Sequence, residues 1–251
     1  MTQVLDHGYV KFVESWGSDE SIIEAARMST GKGFLGWGPK HSTECCSGLV
    51  GQTQTGGECP SCDGAPGDEK LLRFLYENKH ATPFEMGGLI IEVMAPIFVF
   101  REWHRHRTQS YNEMSARYTP LPNLNYIPTV EHLMINSKTN KQAGLIAGAE
   151  HLTEAGAIAY RQQLCIHYEQ DEDFYQKALK MGVPKELARN HLPVGRYSKM
   201  RASTNLRNWL AFLTLRDAPN AQWEIQEYAR ATAEFVKQRF PRTYDLYLEG
   251  K

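Results

Sequence analysis

The sequence lacks any long hydrophobic run: no stretch approaches the roughly 18 apolar residues that a membrane-spanning helix requires. Its first residues, MTQVLDHGYVKF, also lack the basic-then-apolar layout of a secretory signal peptide. The net charge is only −1, which argues against a uniformly basic surface for nucleic acid or membrane. GxGxxG and GxxxxGK[ST] motifs are absent too, which argues against the standard dinucleotide and P-loop phosphate sites. These absences predict a cytoplasmic protein with neither a membrane nor a nucleic-acid partner.

Cysteine is scarce outside one segment. Residues 31–67 contain four of the five cysteines and ten of the twenty glycines, with almost no apolar periodicity. This composition predicts a long irregular insertion, at about 34–66, between two helices. An odd number of cysteines in a chain of this size favours a reducing compartment. The fifth, Cys165, lies in a helical pattern and is predicted to be a small core residue.

The four clustered cysteines suggest a metal site. Cys59 and Cys62 form a CxxC pair, and Cys45 and Cys46 supply a second pair with His41 nearby. Thiolate and imidazole ligands of this kind are typical of structural zinc. Because adjacent cysteines rarely bind one tetrahedral ion together, a reduced loop without metal is the alternative.

Hydrophobic periodicity and turn residues predict a helix-rich chain with few strands. Strands are predicted over 87–94 and 195–200. Helices are predicted over 18–28, 68–78, 96–107, 141–181, 184–191, 203–215 and 221–240. The pattern has no βαβ alternation, which favours an α+β fold. We therefore expect one domain, residues 1–251, with helices around a small, mainly antiparallel sheet.

The segment 101–118, REWHRHRTQSYNEMSARY, is the densest in chemical groups. It holds four arginines and two histidines, and its polar continuation also contains Ser115. Arginine forks bind phosphate groups bidentately, so several together suit a diphosphate. The alternative is a solvated basic helix end, which the helix dipole also favours.

This segment resembles the signature of the flavin-dependent thymidylate synthases. The resemblance lies in Arg105-His106-Arg107, which is followed by seven residues and then Ser115. Further segments resemble the same family in the same order: 79–85, 95–98, 187–193, 205–216 and 221–225. The resemblance implies synthesis of dTMP from dUMP, with methylenetetrahydrofolate as carbon donor. It also implies FAD as cofactor, NADPH as reductant, and a homotetramer with shared active sites.

The resemblance also implies a role for individual residues. Those matching FAD contacts are Thr82, Arg105, His106, Arg107, Thr108, Glu113, Asn205 and Arg207. Those matching dUMP contacts are Glu102, Arg105, Glu113, Met114, Ser115, Ala116, Arg117, Arg189 and Arg216. His80 matches a histidine near the flavin, and Arg216 matches an arginine proposed to favour ionisation at N3 of uracil. This role is physically reasonable, because a permanent cation lowers the free energy needed to form an anion next to it.

The catalytic residues implied in this way are Arg216, Ser115 and His80. Ser115 has no evident base in the local sequence, so we interpret it as a positioning group rather than a nucleophile. Three positions depart from the family pattern: Glu102 replaces a common Gln, Ala211 an Asn and Asn220 a His. We expect these departures to alter FAD affinity more than the type of reaction.

Two other functions fit parts of the sequence. A nucleic-acid-binding protein could combine a zinc knuckle with the Arg/His/Tyr-rich segment. The near-neutral charge counts against it, since such proteins usually carry a basic stripe. A flavin oxidoreductase without folate chemistry is the third possibility.

Overall fold

The computed structural model describes residues 1–37, 67–135 and 144–251. The chain divides into two compact units. The first contains residues 1–14, 89–204 and 208–235, and the second contains residues 15–88, 205–207 and 236–251. Among the described residues, no helix combines the length and the apolar character needed to cross a bilayer.

Five strands and nine α-helices occur in the described residues. The strands are β1 (Thr2–Val4), β2 (Gly8–Trp16), β3 (Gly88–Pro96), β4 (Ser110–Glu113) and β5 (Tyr197–Asn205). The helices are α1 (Asp19–Arg27), α2 (Asp68–Glu77), α3 (Ile97–Trp103), α4 (Val130–Leu133), α5 (Glu154–Lys180), α6 (Lys185–Ala188), α7 (Leu206–Arg216), α8 (Trp223–Arg239) and α9 (Pro241–Glu249).

The first unit is built on the sheet, whose strand order is β1-β2-β3-β5-β4. Both outer pairs, β1 with β2 and β4 with β5, are antiparallel. Gly8 is required at the start of β2, because a Cβ there would lie 1.9 Å from the Tyr228 hydroxyl. That hydroxyl donates to the Met94 carbonyl at 2.8 Å, so α8 lies directly against the sheet.

Aromatic side chains fill the core between the sheet and the helices of the first unit. The rings of Trp103 in α3 and Phe212 in α7 stack with their centroids 4.6 Å apart. The Trp209 indole donates to the Leu89 carbonyl at 3.0 Å. All three aromatic side chains are fully buried, and together they fix the end of α3 against α7.

The second unit is held by two buried carboxylates. Asp19 accepts from the Arg242 N–H at 2.8 Å and from the Thr243 hydroxyl at 2.6 Å, which satisfies the amino end of α9. Asp68, at the start of α2, accepts from the backbone N–H groups of Leu35 and Gly36 at 2.6 and 2.9 Å. These bonds hold the chain just before residue 38 against α2.

The predicted α+β fold, helix-rich around a small antiparallel sheet, is confirmed. The helices predicted over 18–28 and 68–78 match α1 and α2, and the strand predicted over 87–94 matches β3. The helix predicted over 96–107 is shorter, because α3 ends at Trp103 and the chain turns back to form β4. Pairing of β4 with β5 was not visible in either local pattern.

Other predictions need correction. The helix predicted over 203–215 begins later, because Ser203 lies in β5, opposite Ser110, and α7 follows that strand from Leu206. The long helix begins at Glu154, capped by Thr153, so 144–153 are not helical. Cys165 is exposed rather than a core residue, because α5 buries only Ala157 and Tyr175. β1, β2 and α9 were not predicted.

Candidate active site

The Arg-His-Arg signature forms a tight turn between α3 and β4. The Tyr111 hydroxyl lies 3.0 Å from the Trp103 carbonyl and 2.8 Å from the His106 carbonyl. Beneath the turn, the Trp103 indole donates to the Gln109 side chain at 3.1 Å. Helix α3 is apolar and ends at buried Trp103. The basic residues that follow it therefore lie at the surface.

Arg105 and Arg107 project from this turn as exposed side chains. Within the described parts of the chain, neither forms an ion pair. Thr108 is held more firmly, because its carbonyl accepts from the Thr204 hydroxyl at 3.1 Å. Two guanidinium groups without carboxylate partners among the described residues suit an anionic group such as a diphosphate.

His106 and Arg216 form the most constrained polar contact of the signature. The Arg216 Nε donates to His106 Nε2 at 2.8 Å, and its two terminal nitrogens donate to the carboxylate and the carbonyl of Glu102 at 2.6 and 2.9 Å. Burial and the Arg216 charge lower the pKa of His106 from 6.5 to about 4. His106 is therefore a neutral acceptor at physiological pH, and Arg216 is held at three points.

A cavity of about 370 Å³ lies beside β4 in the first unit. This volume falls at the lower end of the range of ligand pockets. Its lining residues are Ile97, Phe100, Arg101, His104, Glu113, Met114, Ser115, Ala116, Leu121, Arg189 and Leu192. Five residues predicted to bind dUMP, Glu113–Ala116 and Arg189, are thus brought together although more than 70 positions of sequence separate the two groups.

Arg101 and His104 also line the cavity, although neither was predicted to be a site residue. With Ile97 and Phe100 they occupy positions i, i+3, i+4 and i+7, which is one face of a helix. That spacing was the available signal. The His104 ring packs on Phe100 at 6.2 Å and against Tyr111 at 4.9 Å, which orients it.

Other residues predicted to bind dUMP do not line this cavity. Glu102 and Arg216 form their own ion pair, and Arg105 is exposed on the turn. Arg117 forms an exposed ion pair with Glu186 at 3.4 Å. The predicted substrate residues of the first unit therefore form more than one group.

Four predicted residues belong to the second unit. His80 follows α2 and contacts the Phe74 ring edge-on at 5.5 Å, and Thr82 begins a short 3-10 turn. Arg207 pairs with Glu85 at 2.6 Å, so its charge is already compensated. Asn205 ends β5.

The proposed zinc ligands Cys45, Cys46, Cys59 and Cys62 lie outside the described residues. In the described ranges, no group of three or more His, Cys, Asp or Glu side chains is arranged to hold a metal ion.

Comparison with known proteins identifies the family. A profile of the family described as thymidylate synthase complementing protein matches residues 11–242. A flavin-dependent thymidylate synthase of Thermus thermophilus is 38% identical over 246 residues, which cover 98% of this chain and 77% of that protein. The one from Thermosipho melanesiensis is 35% identical over 250 residues, covering 98% and 93%.

A solved structure is similar as well. The UMP/dUMP methylase PolB from Streptomyces cacaoi, bound with 5-Br UMP, has a TM-score of 0.74 and 26% identity, covering 99% of this chain and 97% of that one. The profile and the relatives span almost the whole chain, including the segment with Arg105-His106-Arg107. The protein therefore belongs to the flavin-dependent thymidylate synthase family and is an enzyme of the methyltransferase class.

Proposed function

We propose that the protein makes dTMP from dUMP by reductive methylation, taking the carbon from methylenetetrahydrofolate and the reducing equivalents from NADPH through FAD. Family membership supports the reaction class, and the similar PolB structures contain 5-Br UMP and 5-Br dUMP. The observation that carries the proposal is the cavity, which joins Ser115 of the signature to the distant Arg189.

The cavity is proposed to receive the nucleotide. Arg189 supplies a guanidinium fork for the phosphate, and the Ser115 hydroxyl and Arg101 add donors beside it. Glu113 supplies an acceptor for a sugar or base N–H or O–H group. Met114 and Ala116 contribute apolar surface next to these groups, and Arg117 flanks the same segment.

Arg216 is proposed to act on the uracil ring. A fixed cation stabilises the anion formed when N3 loses its proton, and Glu102 and His106 hold this cation in place. Since His106 is neutral, it adds no second positive charge and works as an orienting acceptor. Ser115 has no adjacent base among its described contacts, which supports a positioning role.

FAD is proposed to bind with its diphosphate near Arg105, Arg107 and Thr108. When bound there, FAD would supply the hydride-transfer chemistry of the reaction. His106 and Glu113 lie beside these residues in sequence and are proposed as further FAD contacts. The resemblance to the family adds Thr82, Asn205 and Arg207 to the proposed FAD contacts and His80 as a residue near the flavin.

A homotetramer with shared active sites is also proposed, in the cytoplasm. The residues that match dUMP contacts do not all line one cavity: Arg216 and Glu102 form their own ion pair and are not among its lining residues. This incomplete lining supports completion of each site by a second copy. Sedimentation of the purified protein tests the assembly, and a monomer with full activity would contradict sharing.

Structural zinc in the cysteine segment remains a proposal from sequence. Metal analysis of protein purified without chelator tests it, and a metal content well below one ion per chain would contradict it. The comparisons give no support to the alternative nucleic-acid function.

The visible absorption spectrum tests the proposed function first. We expect a two-band flavin spectrum that bleaches on anaerobic addition of NADPH with dUMP present. Addition of methylenetetrahydrofolate should then yield dTMP, detected by mass spectrometry. An Arg189→Gln variant should retain the flavin spectrum but lose affinity for dUMP.

A protein that stays colourless after incubation with FAD would contradict the flavin assignment. A flavoprotein that oxidises NADPH without forming dTMP would instead support an oxidoreductase without folate chemistry. Strong, salt-sensitive binding of DNA would favour the nucleic-acid alternative.

A further inference from the structure

Arg196, at the start of β5, is a charged side chain buried inside the first unit, with only 1% of its surface exposed. Its guanidinium lies 2.7 Å from the Glu172 carboxylate in α5. A buried charge is tolerated when it is paired and hydrogen-bonded. Even so, within the described residues the Arg196 Nε has no acceptor, so stability alone is a weak reason for an arginine here.

The remaining bonds of Arg196 lead to the walls of the cavity. One terminal nitrogen donates to the Leu121 carbonyl at 3.3 Å and the other to the Asn123 side chain at 3.0 Å. Its own backbone carbonyl accepts from the Ile97 N–H at 2.9 Å. Leu121 and Ile97 both line the cavity, whereas Arg196 does not.

The turn of α5 that holds Arg196 also holds the segment bearing Arg189. The carbonyl of Asp171, next to Glu172, lies 2.9 Å from His191 Nε2. The His191 ring also packs edge-on against Phe174 at 4.6 Å. Arg189 and His191 share one short 3-10 turn, so α5 fixes this turn and the Arg196 side chain together.

We propose that Arg196, held by Glu172, is a positioning residue for nucleotide binding. Its side chain joins the Leu121 wall of the cavity to the turn of α5 that supports Arg189, and its backbone carbonyl is bonded to the Ile97 wall. The inference rests on the proposed function, because it concerns the cavity assigned to dUMP. Arg196 acts through these neighbours and does not touch the substrate.

If the Arg196–Glu172 ion pair only stabilises the fold, a different experimental result is expected. Replacing a buried ion pair by apolar side chains of similar volume often leaves stability unchanged. If Arg196 only stabilises the fold, an Arg196→Met/Glu172→Met variant should recover both stability and affinity. If it positions the walls, stability recovers but affinity does not, because Leu121 and Asn123 have lost their donor.

The test compares wild type, Glu172→Gln, and the Arg196→Met/Glu172→Met variant as FAD-loaded enzymes. Both carboxylate oxygens of Glu172 face donors: Oε1 accepts from the Gln176 amide at 2.8 Å and Oε2 lies 2.7 Å from the Arg196 guanidinium. Glutamine keeps the side-chain size but has a single acceptor oxygen and no charge, so it cannot serve both donors. This variant therefore tests the contact even where the double variant does not fold. The measurements are the thermal midpoint, the flavin content, the Kd for dUMP by calorimetry, and KM and kcat. Arg73→Met/Glu249→Met, at an exposed ion pair of the second unit, is the matched control.

We expect the folded double variant to bind dUMP about tenfold more weakly. Glu172→Gln should raise KM several-fold with kcat nearly unchanged. Both variants should keep the wild-type flavin content, and the control variant should keep the wild-type KM. A wild-type Kd and KM in Glu172→Gln, or a wild-type Kd in a folded double variant, would overturn the inference. Failure of wild type itself to bind dUMP would contradict the proposed function instead.

Discussion

The guanidinium of Arg216 is held by both the carboxylate and the backbone carbonyl of Glu102, at 2.6 and 2.9 Å, while its Nε donates to His106. One residue of α3 thus determines where the cation of α7 lies. A glutamine side-chain oxygen at position 102 could accept the same hydrogen bond from Arg216.

This relationship predicts different effects for two substitutions at Glu102. Glu102→Gln should stay within a few-fold of wild type, because its amide oxygen still accepts from Arg216. Glu102→Ala removes the side-chain acceptor and should lower kcat about tenfold, equivalent to about 1.4 kcal/mol of lost transition-state stabilisation. Steady-state kinetics at saturating dUMP measure the difference. Equal damage from both substitutions would show that the negative charge itself is required.

Ser115 is predicted to position the nucleotide without forming a bond to it. Ser115→Ala should lower activity about tenfold to a hundredfold without abolishing it, because removal of one hydrogen bond to a charged group costs about 1.5–3 kcal/mol. Its hydroxyl accepts from the Arg117 N–H at 3.3 Å, and no base is in contact with it in the described structure. Complete loss of turnover with intact dUMP binding would restore a nucleophilic role.

His106 predicts a specific dependence of stability on pH. The folded protein keeps His106 neutral down to about pH 4, whereas an unfolded chain protonates it near pH 6.5. The unfolded state therefore binds the extra proton between these values, and the free energy of unfolding falls as pH falls from about 6.5 to about 4. The contribution is fully present above pH 6.5 and is lost as pH falls through about 4.

Urea unfolding of wild type and His106→Gln at pH 7 and pH 5 measures this contribution. The variant should show a smaller loss of stability between the two pH values. His167→Gln, at an exposed histidine of α5, is the control and should keep the wild-type difference. An unchanged difference in His106→Gln would contradict the neutral, buried state of His106.

Asp68 is predicted to be essential for the second unit. It is fully buried, accepts from two backbone N–H groups and pairs with Arg27. Asp68→Asn leaves the Arg27 charge without its partner and should cost about 3–5 kcal/mol. Thermal unfolding is the measurement, and Glu249→Gln, at an exposed ion pair with Arg73, should stay near the wild-type midpoint. A wild-type midpoint for Asp68→Asn would show that the buried pair is dispensable.

Local sequence pattern predicted much of the fold. The helices predicted over 18–28 and 68–78 are α1, which Ser18 caps, and α2, which buries Leu72 and Leu75. Strand β4 was missed because its four residues, Ser110–Glu113, carry no apolar alternation. Its strand character comes from pairing with β5, nearly 90 positions later in the chain.

The candidate site, like the fold, was predicted only in part from the sequence. The Arg-His-Arg signature identified the family, since a run of charged donors at fixed spacing is specific chemistry that the sequence displays directly. Helical spacing could have predicted that Arg101 and His104 share one face of α3. It could not have predicted the cavity that this face lines.

Motifs and local patterns along the chain were enough to predict the reaction class, the helix-rich α+β fold and the segment that carries the chemistry. Three features became visible only in the folded chain: Arg189 and Ser115 line one cavity, Glu102 holds Arg216, and Arg196 is buried beside residues of the cavity wall. The physical reason is that helical periodicity and capping depend on neighbours a few positions apart. Burial of a charge, and the lowered pKa of His106, depend on groups that folding brings from distant parts of the chain.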